Sequence, residues 1–382
     1  MKIIQFTTDN REQQNDYSNP TPHFGAAPEA LLEGFALLPN VEVHVVSCTR
    51  REVSKPDRIF ENIHYHPVLV PQIGWMSTLY SGCIRATSKL IREIAPDIVH
   101  GQGTERDCSM NAIYSGLPNV LTIHGNMAEL NRLGDTFKNA RFYGTLASRL
   151  ETHALRKTQG VFCNSAYTES LVASRARKTW GVPNPIRSKF FRDSTDTPVT
   201  DIPQIINVGL ISPRKRQLEL LREAAKMWAS GVGFRIVFAG GIPDDPYGKA
   251  FANEITHAEQ NGYASHVGFL NIDGLIQLMD QSHGMVHCPT EEAFGLVVAE
   301  GMARGLKFFG SDLGGIRDIA DGMMEAELHA DLISLMSGVR RWLDEGAPRA
   351  ESSRAEIAKR YHPQVVATKH VEIYREVLAH KN

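Results

Sequence analysis

The sequence predicts an α/β protein with two doubly wound, Rossmann-like domains that face a cleft. Three observations support this fold class. The chain has 382 residues, which is too long for a single domain with one ordinary hydrophobic core. Short apolar segments alternate with segments of helical periodicity, as in parallel strands joined by crossover helices. The alternation occurs twice, with a polar, proline-containing stretch at 182–203 between the two series.

In the first half, the predicted strands are short and apolar: Lys2–Thr7, Val41–Ser47, Asp97–His100, Pro118–His124 and Gly160–Asn164. The helices predicted between them are Pro28–Leu38, Ser77–Ala95 and Arg141–Lys157. Pro96 ends the second of these helices because proline lacks the amide hydrogen that a helix needs. This order of elements indicates a parallel sheet covered by helices.

The second half repeats the pattern. Its predicted strands are Gln204–Val208, Phe234–Ala239, His266–Phe269, Gly284–Cys288 and Leu306–Gly310, and its predicted helices are Gln217–Ala229, Ala250–Asn261, Ile272–Gln281 and Gly295–Arg304. We expect an N-terminal domain at 1–184 and a C-terminal domain at 185–362. A last helix within 363–382 has an apolar face, which we expect to pack back on the first domain.

Composition excludes several classes of protein. The formal net charge of -2 argues against a general affinity for nucleic acid. There is no apolar run of about 18 residues and no apolar signal segment, so a cytoplasmic location is expected. The five cysteines are far apart and predict buried, reduced thiols. A basic helix side with Arg141, Arg149, Arg156 and Lys157 is expected to be either solvated or in peripheral contact with the inner face of a membrane.

The segment at 287–315 carries the strongest chemical signal. A buried strand ends at Cys288, and Gly295 then opens a helix. Free amide groups at a helix start favour an anion such as a diphosphate, and glycine lets a ligand approach the backbone. Glu292 and Glu300 are eight residues apart, which is roughly 12 Å along a helix axis. Two acids at this spacing can reach the two ends of a sugar nucleotide.

This segment resembles the E-x7-E signature of the retaining glycosyltransferases of family 4, which have the GT-B fold. The resemblance implies that Glu300 binds the ribose hydroxyls and that Glu292 lies near the anomeric carbon of the donor sugar. It implies that the amide groups of Phe294, Gly295 and Leu296 contact the sugar or the diphosphate. The alternative is that Glu300 is merely an exposed helix residue and that Glu292 is only a negative charge that interacts favourably with the helix dipole.

A second segment, NVGLISPRKRQ, is similar to the G-R-L-x3-K motif of the same family, whose basic residues bind the diphosphate. Gly209 and Lys215 fall on the glycine and lysine positions. Leu210 stands where the family has arginine, which removes one cation. Arg214 and Arg216 are candidates for replacing it, or they belong to a solvated run of charge.

Two further segments of the family pattern complete the set of candidates. HVGFL resembles the segment whose backbone, here at Gly268 and Phe269, reads the nucleobase. Gly25, in TPHFGAAPE, occupies the place of the family's glycine-rich turn, although it is also typical of an ordinary strand-to-helix turn. His124 ends a strand and is implied to contact the donor sugar. His100, at another strand end, is a weaker candidate for lining the acceptor side.

The resemblance implies transfer of a sugar from a nucleoside diphosphate sugar to an acceptor hydroxyl. The expected donor is a UDP- or GDP-sugar, and the expected acceptor is a glycan, a lipid-linked molecule or a small molecule. The expected setting is bacterial glycan or glycoconjugate biosynthesis. Glu292, His124 and Lys215 are the catalytic candidates. No metal is expected because the sequence has no D-x-D.

Other classes of protein stay open or are disfavoured. Three other enzymes of related fold remain alternatives: a phosphorylase, an epimerase and a hydrolase. A degenerate protein that binds the donor without turnover is a further alternative, because Leu210 replaces the arginine of the motif. A nicotinamide dehydrogenase is disfavoured because no G-x-G-x-x-G follows an early strand.

Overall fold

The computed structural model describes residues 1–56, 58–133, 141–193 and 202–379. The chain divides into unit 1, with Met1–Arg187 and His362–Asn382, and unit 2, with Ser188–Tyr361. The sequence placed the first division after residue 184. In the structure this segment of unit 1 ends at Arg187. The guanidinium of Arg187 bonds Glu29 of that unit, with Nη2 2.8 Å from Oε2. Part of the polar connecting stretch, 194–201, lies outside the described residues.

The described part of unit 1 is built on one sheet. Its strands are β1 (Lys2–Phe6), β2 (Glu42–Thr49), β3 (Arg58–Phe60), β4 (Ile63–Leu69), β5 (Ile98–Gln102), β6 (Asn119–Ile123), β7 (Gly160–Cys163) and β8 (Thr179–Gly181). Their order is β3-β4-β2-β1-β5-β6-β7-β8. The β3–β4 pair is antiparallel and the others are parallel. The carboxyl ends of the parallel strands therefore share one edge of the sheet.

Helices cover both faces of this sheet. They are α1 (Asn10–Gln14), α2 (Ala26–Ala36), α3 (Ser81–Ile94), α4 (Cys108–Ile113), α5 (Met127–Leu133), α6 (Arg141–Lys157) and α7 (Ala166–Val172). One face packs in a core with Val43 and Val45 of β2, and the other with Val46 and Cys48 of the same strand. This alternation along β2 is typical of a strand buried on both faces.

The described part of unit 2 has a second, wholly parallel sheet. Its strands are β9 (Gln204–Val208), β10 (Arg235–Ala239), β11 (Ala264–His266), β12 (Gly284–His287), β13 (Lys307–Ser311) and β14 (Ala326–His329). Their order is β11-β10-β9-β12-β13-β14. The helices are α8 (Gln217–Ala229), α9 (Pro246–Gln260), α10 (Ile272–Asp280), α11 (Leu296–Ala303), α12 (Gly314–Ala320), α13 (Leu332–Asp344) and α14 (Ser353–Tyr361).

The last helix, α15 (Pro363–Ala379), packs on α2 in unit 1. The two helices touch closely at Gly34, where a Cβ would lie 2.2 Å from the carbonyl oxygen of Pro363. Farther along α15, the hydroxyl of Tyr374 lies 2.5 Å from Nδ1 of His100 in β5. The end of the chain is thus part of the core of the first unit.

The predicted α/β fold with two parallel-sheet, Rossmann-like domains is confirmed. Some boundaries are wrong. The predicted strand at 266–269 ends at His266, because Gly268 has a φ of +71°. The helix predicted from residue 77 begins at Ser81, after Leu79 and Tyr80 in the left-handed region.

All five cysteines are buried and unbridged. Across the parts of the chain that the structure describes, none of the helices combines the length and apolar character that a bilayer span needs.

Candidate active site

Two loops of unit 2 meet at the carboxyl edge of its sheet, where ligands bind in open α/β sheets. One follows β9 and leads into α8; the other follows β12 and leads into α11. The amide of Thr290 donates to the carbonyl oxygen of Arg214 at 2.8 Å. Nη1 of Arg214 lies 3.1 Å from Oε2 of Glu291. These bonds hold the two loops together.

Three polar side chains form a cluster between these loops. Nζ of Lys215 lies 2.5 Å from Oε2 of Glu292. Nε2 of His287, at the end of β12, lies 3.2 Å from the same oxygen and 3.4 Å from Nζ of Lys215. His287 is almost fully buried, whereas Lys215 and Glu292 are partly accessible. A ligand can thus reach the ammonium and the carboxylate while the imidazole stays behind them.

The protonation states follow from these contacts. Burial opposes ionisation of Glu292, but the hydrogen bond from His287 and the charge of Lys215 outweigh it and lower the pKa of Glu292 well below its usual value. Burial lowers the pKa of His287. At neutral pH, Glu292 is therefore a carboxylate that accepts from both neighbours, and His287 is a neutral imidazole whose Nε2–H donates.

The sequence did not predict a functional role for His287. Its only signal is its position at the last residue of a buried strand, immediately before the loop with Glu291 and Glu292. Burial of a histidine at such a place is common in a core, so the pattern alone did not distinguish it.

The start of α11 is shaped by two glycines. Gly295 caps the helix with a φ of +93°, which favours glycine. A Cβ at Gly315, near the start of α12, would lie 2.3 Å from the carbonyl oxygen of Ala293. The amide of Gly315 donates to the carbonyl oxygen of Glu292 at 3.0 Å. The loop that carries Glu292 is therefore fixed from two sides.

The remaining residues of the E-x7-E segment differ in what they can offer. The side chain of Phe294 is buried against Tyr361, with ring centroids 5.7 Å apart, so only its backbone can face a ligand. Leu296 is the first residue of α11. Glu300, in the second turn, is only 7% exposed. The alternative of a solvated Glu300 is therefore wrong.

A cavity of about 390 Å³ lies at the ends of β9 and β10. Gly209 and Gly240 have φ of +148° and +150°, and a Cβ at Gly240 would lie 2.0 Å from the carbonyl oxygen of Gly209. The amide of Gly240 donates to the carbonyl oxygen of Gly268 at 2.8 Å. Because these glycines have no side chains, the loops that follow β9, β10 and β11 can approach each other closely.

The walls of this cavity are mostly apolar. Leu210, Phe269 and Leu275 line it, and the side chains of Leu210 and Phe269 are 60% and 86% exposed. Leu210 thus presents hydrocarbon where the resembling family presents a cation. Arg214 is engaged with Glu291 rather than at this wall. Arg216 precedes α8 with a φ of +59°.

In unit 1, His124 follows β6 and its Nε2 lies 2.9 Å from Oε1 of Gln102. Burial lowers the pKa of His124 to about 4, so the ring is neutral. Next to it, the amide of Gly125 donates to Oε1 of Glu105 at 2.7 Å. Burial raises the pKa of Glu105 to about 7. Sequence reasoning missed Glu105, whose signal was its place just beyond a strand end.

Gly25 caps α2 with a φ of +84°. Glu29, in the first turn of that helix, accepts from the amide of Phe24 at 3.1 Å and also contacts His23 and Arg187. The turn is therefore held by its own side chains. His100 is completely buried and bonds Tyr374 and Thr122, so it is not accessible to line the acceptor side, for which it was the weaker candidate.

Two family models match the chain. Glycosyltransferase Family 4 matches residues 33–189, and Glycosyl transferases group 1 matches residues 191–323. No curated protein sequence matches at a significant level.

Solved structures match over nearly the whole chain. Sucrose-phosphate synthase from Thermosynechococcus elongatus is 17% identical with a TM-score of 0.76, and the match covers 99% of each chain. HepE of Anabaena in complex with UDP-glucose is 15% identical with a TM-score of 0.70, covering 98% of this chain and 100% of its own. The lipopolysaccharide outer core galactosyltransferase WaaB is 14% identical with a TM-score of 0.68, with 98% and 100% covered.

At these identities the structural matches establish the fold, and the two family models establish the class of enzyme. The match at 33–189 covers part of unit 1 and the first two residues of unit 2, and the match at 191–323 lies within unit 2, in the order of the two sheets. The chain belongs to the family 4, group 1 glycosyltransferases and has their GT-B fold.

Proposed function

We propose that this glycosyltransferase moves a sugar from a nucleoside diphosphate sugar to an acceptor hydroxyl and retains the anomeric configuration. The observation that carries the proposal is the ionised Glu292 between Lys215 and His287, beside the start of α11 and eight residues before Glu300. This arrangement offers a cation and helix amides beside one carboxylate in the loop and a second carboxylate on α11.

In the proposed complex, Lys215 and the amides of Gly295 and Leu296 bind the diphosphate. Phosphate oxygens at a helix start gain from free amide groups and from the helix dipole. Glu300 accepts from the ribose hydroxyls. We propose no metal in this site, because the lysine and the helix start carry the countercharge.

The nucleobase is proposed to occupy the cavity at the ends of β9 and β10. Its apolar walls include Leu210 and Phe269, and the glycine backbones beside them leave room for a flat ring. The backbone at Gly268 and Phe269 would read the edge of the base. HepE, which binds UDP-glucose, makes a UDP-sugar the first donor to test, with GDP-sugars next.

The proposed reaction breaks the bond between the anomeric carbon and the diphosphate oxygen and forms one to the acceptor oxygen on the same face. The acceptor proton passes to the departing phosphate. Lys215 stabilises the leaving group, and Glu292 stabilises positive charge on the sugar, as preorganised electrostatics. His287 orients Glu292. The roles proposed for Gly25 and His124, which belong to unit 1, rest on the family resemblance alone.

For the biological setting, we propose bacterial glycan or glycoconjugate biosynthesis, with a glycan, lipid-linked or small-molecule acceptor. The similarity to WaaB, a lipopolysaccharide galactosyltransferase, supports this setting. The exposed Leu210 supports one other candidate, a protein that binds the donor without turning it over.

The test is a turnover assay with UDP- and GDP-sugars and simple sugar acceptors, followed by proton NMR of the product. We expect an α-linked donor to give an α-linked product. A β-linked product would contradict retention. Tight donor binding with neither transfer nor hydrolysis would instead favour the binding protein.

A further inference from the structure

Unit 1 has a second group of polar side chains, which includes none of the candidate active-site residues. Glu42 and His44 lie on β2, and His64 and His66 lie on the neighbouring strand β4. The two strands are parallel, with His44 opposite His64 and Val46 opposite His66. Residues two apart in a strand share a face. All four side chains therefore project from the same face of the sheet, near the amino ends of the two strands.

Three of these residues hold their donor atoms close together. Nε2 of His44 lies 3.0 Å from Oε1 of Glu42, and Nε2 of His64 lies 3.7 Å from the same oxygen. One ligand atom from each of the three residues lies within 4.8 Å of the others. A tetrahedral Zn²⁺ with bonds of about 2.0–2.2 Å needs ligand atoms about 3.4 Å apart. Small side-chain movements bring the three atoms to that spacing.

The rings of His44 and His64 are stacked with centroids 4.8 Å apart. A metal ion binds the neutral form of an imidazole, so binding of the ion should strengthen as pH rises through the range in which histidine loses its proton.

His66 contributes through His44. Its Nε2 lies 2.9 Å from Nδ1 of His44. When Nδ1–H of His44 donates to His66, Nε2 of His44 is left unprotonated and directed toward Glu42. A hydrogen bond to the second ring nitrogen commonly fixes the tautomer of a metal-bound histidine.

The site is accessible from solvent. His44 is only 8% exposed, but the side chains of His64 and Glu42 are 26% and 43% exposed. An ion can therefore enter from the side of Glu42 and His64, and a water molecule can supply a fourth ligand on that side. Two nitrogens and one carboxylate oxygen suit Zn²⁺ and disfavour Mg²⁺, which prefers oxygen ligands.

We propose that Glu42, His44 and His64 bind one Zn²⁺ ion, with His66 as the positioning residue. The ion joins β2 to β4 and stabilises this side of the sheet. The site belongs to unit 1, whereas the proposed donor site belongs to unit 2, so each proposal can fail without the other.

The test is isothermal titration of the full-length, untagged protein with ZnCl₂, and with MgCl₂ for comparison. We expect one Zn²⁺ per chain, no binding of Mg²⁺, and a rise in melting temperature with Zn²⁺. His64→Ala and Glu42→Gln should each weaken binding at least tenfold. His66→Gln should weaken it about tenfold while the stoichiometry stays at one. His257→Ala, at an exposed histidine of unit 2, is the matched control and should bind as the wild type does.

Co²⁺ gives a second readout, because a tetrahedral site with nitrogen ligands shows strong visible absorption. We expect this absorption in the wild type and in His257→Ala but not in His64→Ala. Circular dichroism of the metal-free variants checks that they fold. The proposal is overturned if Zn²⁺ does not bind, or if it binds to folded His64→Ala and Glu42→Gln as tightly as to the wild type.

Discussion

Nζ of Lys215 lies 2.5 Å from Oε2 of Glu292, although 77 positions separate the two residues in the chain. The contact exists because two parallel strands, β9 and β12, end side by side and their loops meet. Each side chain limits the other: the ammonium keeps the carboxylate ionised, and the carboxylate holds the ammonium beside the start of α11. A diphosphate bound there would share Lys215 with Glu292.

Glu292→Gln should lower kcat by about 10²–10³-fold and change the affinity for the nucleoside diphosphate by less than about fivefold. The reason is that a neutral amide no longer stabilises positive charge on the sugar, whereas the diphosphate still meets Lys215 and the helix amides. Steady-state kinetics and calorimetry measure the two quantities. Glu291→Gln is the matched control, because Glu291 pairs with Arg214 instead, and it should reduce kcat by less than about fivefold. Equal losses in both variants would refute the role of Glu292.

Glu300→Gln should weaken nucleoside diphosphate binding by about 10–100-fold, since hydrogen bonds from ribose hydroxyls to a charged acceptor contribute about 1.5–3 kcal/mol. Calorimetry with ribose and 2′,3′-dideoxyribose nucleotides separates this effect from a change in fold. The dideoxy nucleotide should bind the wild type weakly and should bind the variant about as well as the ribose form does. If the variant still discriminates between the two sugars, Glu300 does not contact the ribose.

Leu210→Arg should tighten nucleoside diphosphate binding by about fivefold, which corresponds to about 1 kcal/mol for one added charge near the protein surface. The leucine side chain is 60% exposed, so a longer side chain fits without repacking. The gain should shrink at high salt. Leu210→Met, which adds no charge, is the control. A gain that is equal in both variants, or that does not depend on salt, would argue against a diphosphate near this position.

The melting temperature should fall as pH decreases from about 6.5 to 4. His124, His66 and His370 have pKa values lowered to about 4 by burial, and burial lowers that of His100 further. Below pH 6.5 the unfolded chain binds protons that the folded chain does not, so stability is lost as pH falls. Thermal unfolding in buffers across this range measures the slope, and His124→Asn should make it shallower.

Glu105 has the opposite effect on this slope. Burial raises its pKa to about 7 from an ordinary 4.5. Between these values the unfolded chain releases a proton that the folded chain keeps, so this group reduces stability as pH rises. Glu105→Gln should therefore steepen the fall in melting temperature on acidification. A shallower fall would contradict the raised pKa.

The sequence predicted the central strands of both sheets because buried parallel strands are short apolar runs bounded by glycine, proline or polar residues. It missed the short edge strands β3, β8 and β14. It also missed β4, whose residues include His64, His66 and Pro67 in an otherwise apolar strand. It extended the strand at His266 too far, since apolar residues in HVGFL outweighed Gly268. A hydrophobic pattern indicates which residues are buried, but it does not show where the backbone angle φ is positive.

The candidate site could be predicted only as separate segments. The spacing of Glu292 and Glu300 is local and is visible in the sequence, whereas the contacts of Lys215 with Glu292 and of Arg214 with Glu291 depend on which strands are neighbours. His287 and His100 are both histidines of buried strands. Only the structure shows that His287 faces an acid at the loop edge while His100 is bonded inside the core.

We propose that unit 2 binds a nucleoside diphosphate at Lys215, Glu300 and the start of α11. Calorimetric titration of the wild type and of Lys215→Ala with UDP, GDP and ADP, first without metal and then with Mg²⁺, tests this binding. We predict that one diphosphate binds the wild type without metal and binds Lys215→Ala at least tenfold more weakly. Failure of all three to bind folded wild-type protein, or equal affinity for the variant, would contradict a diphosphate site in unit 2.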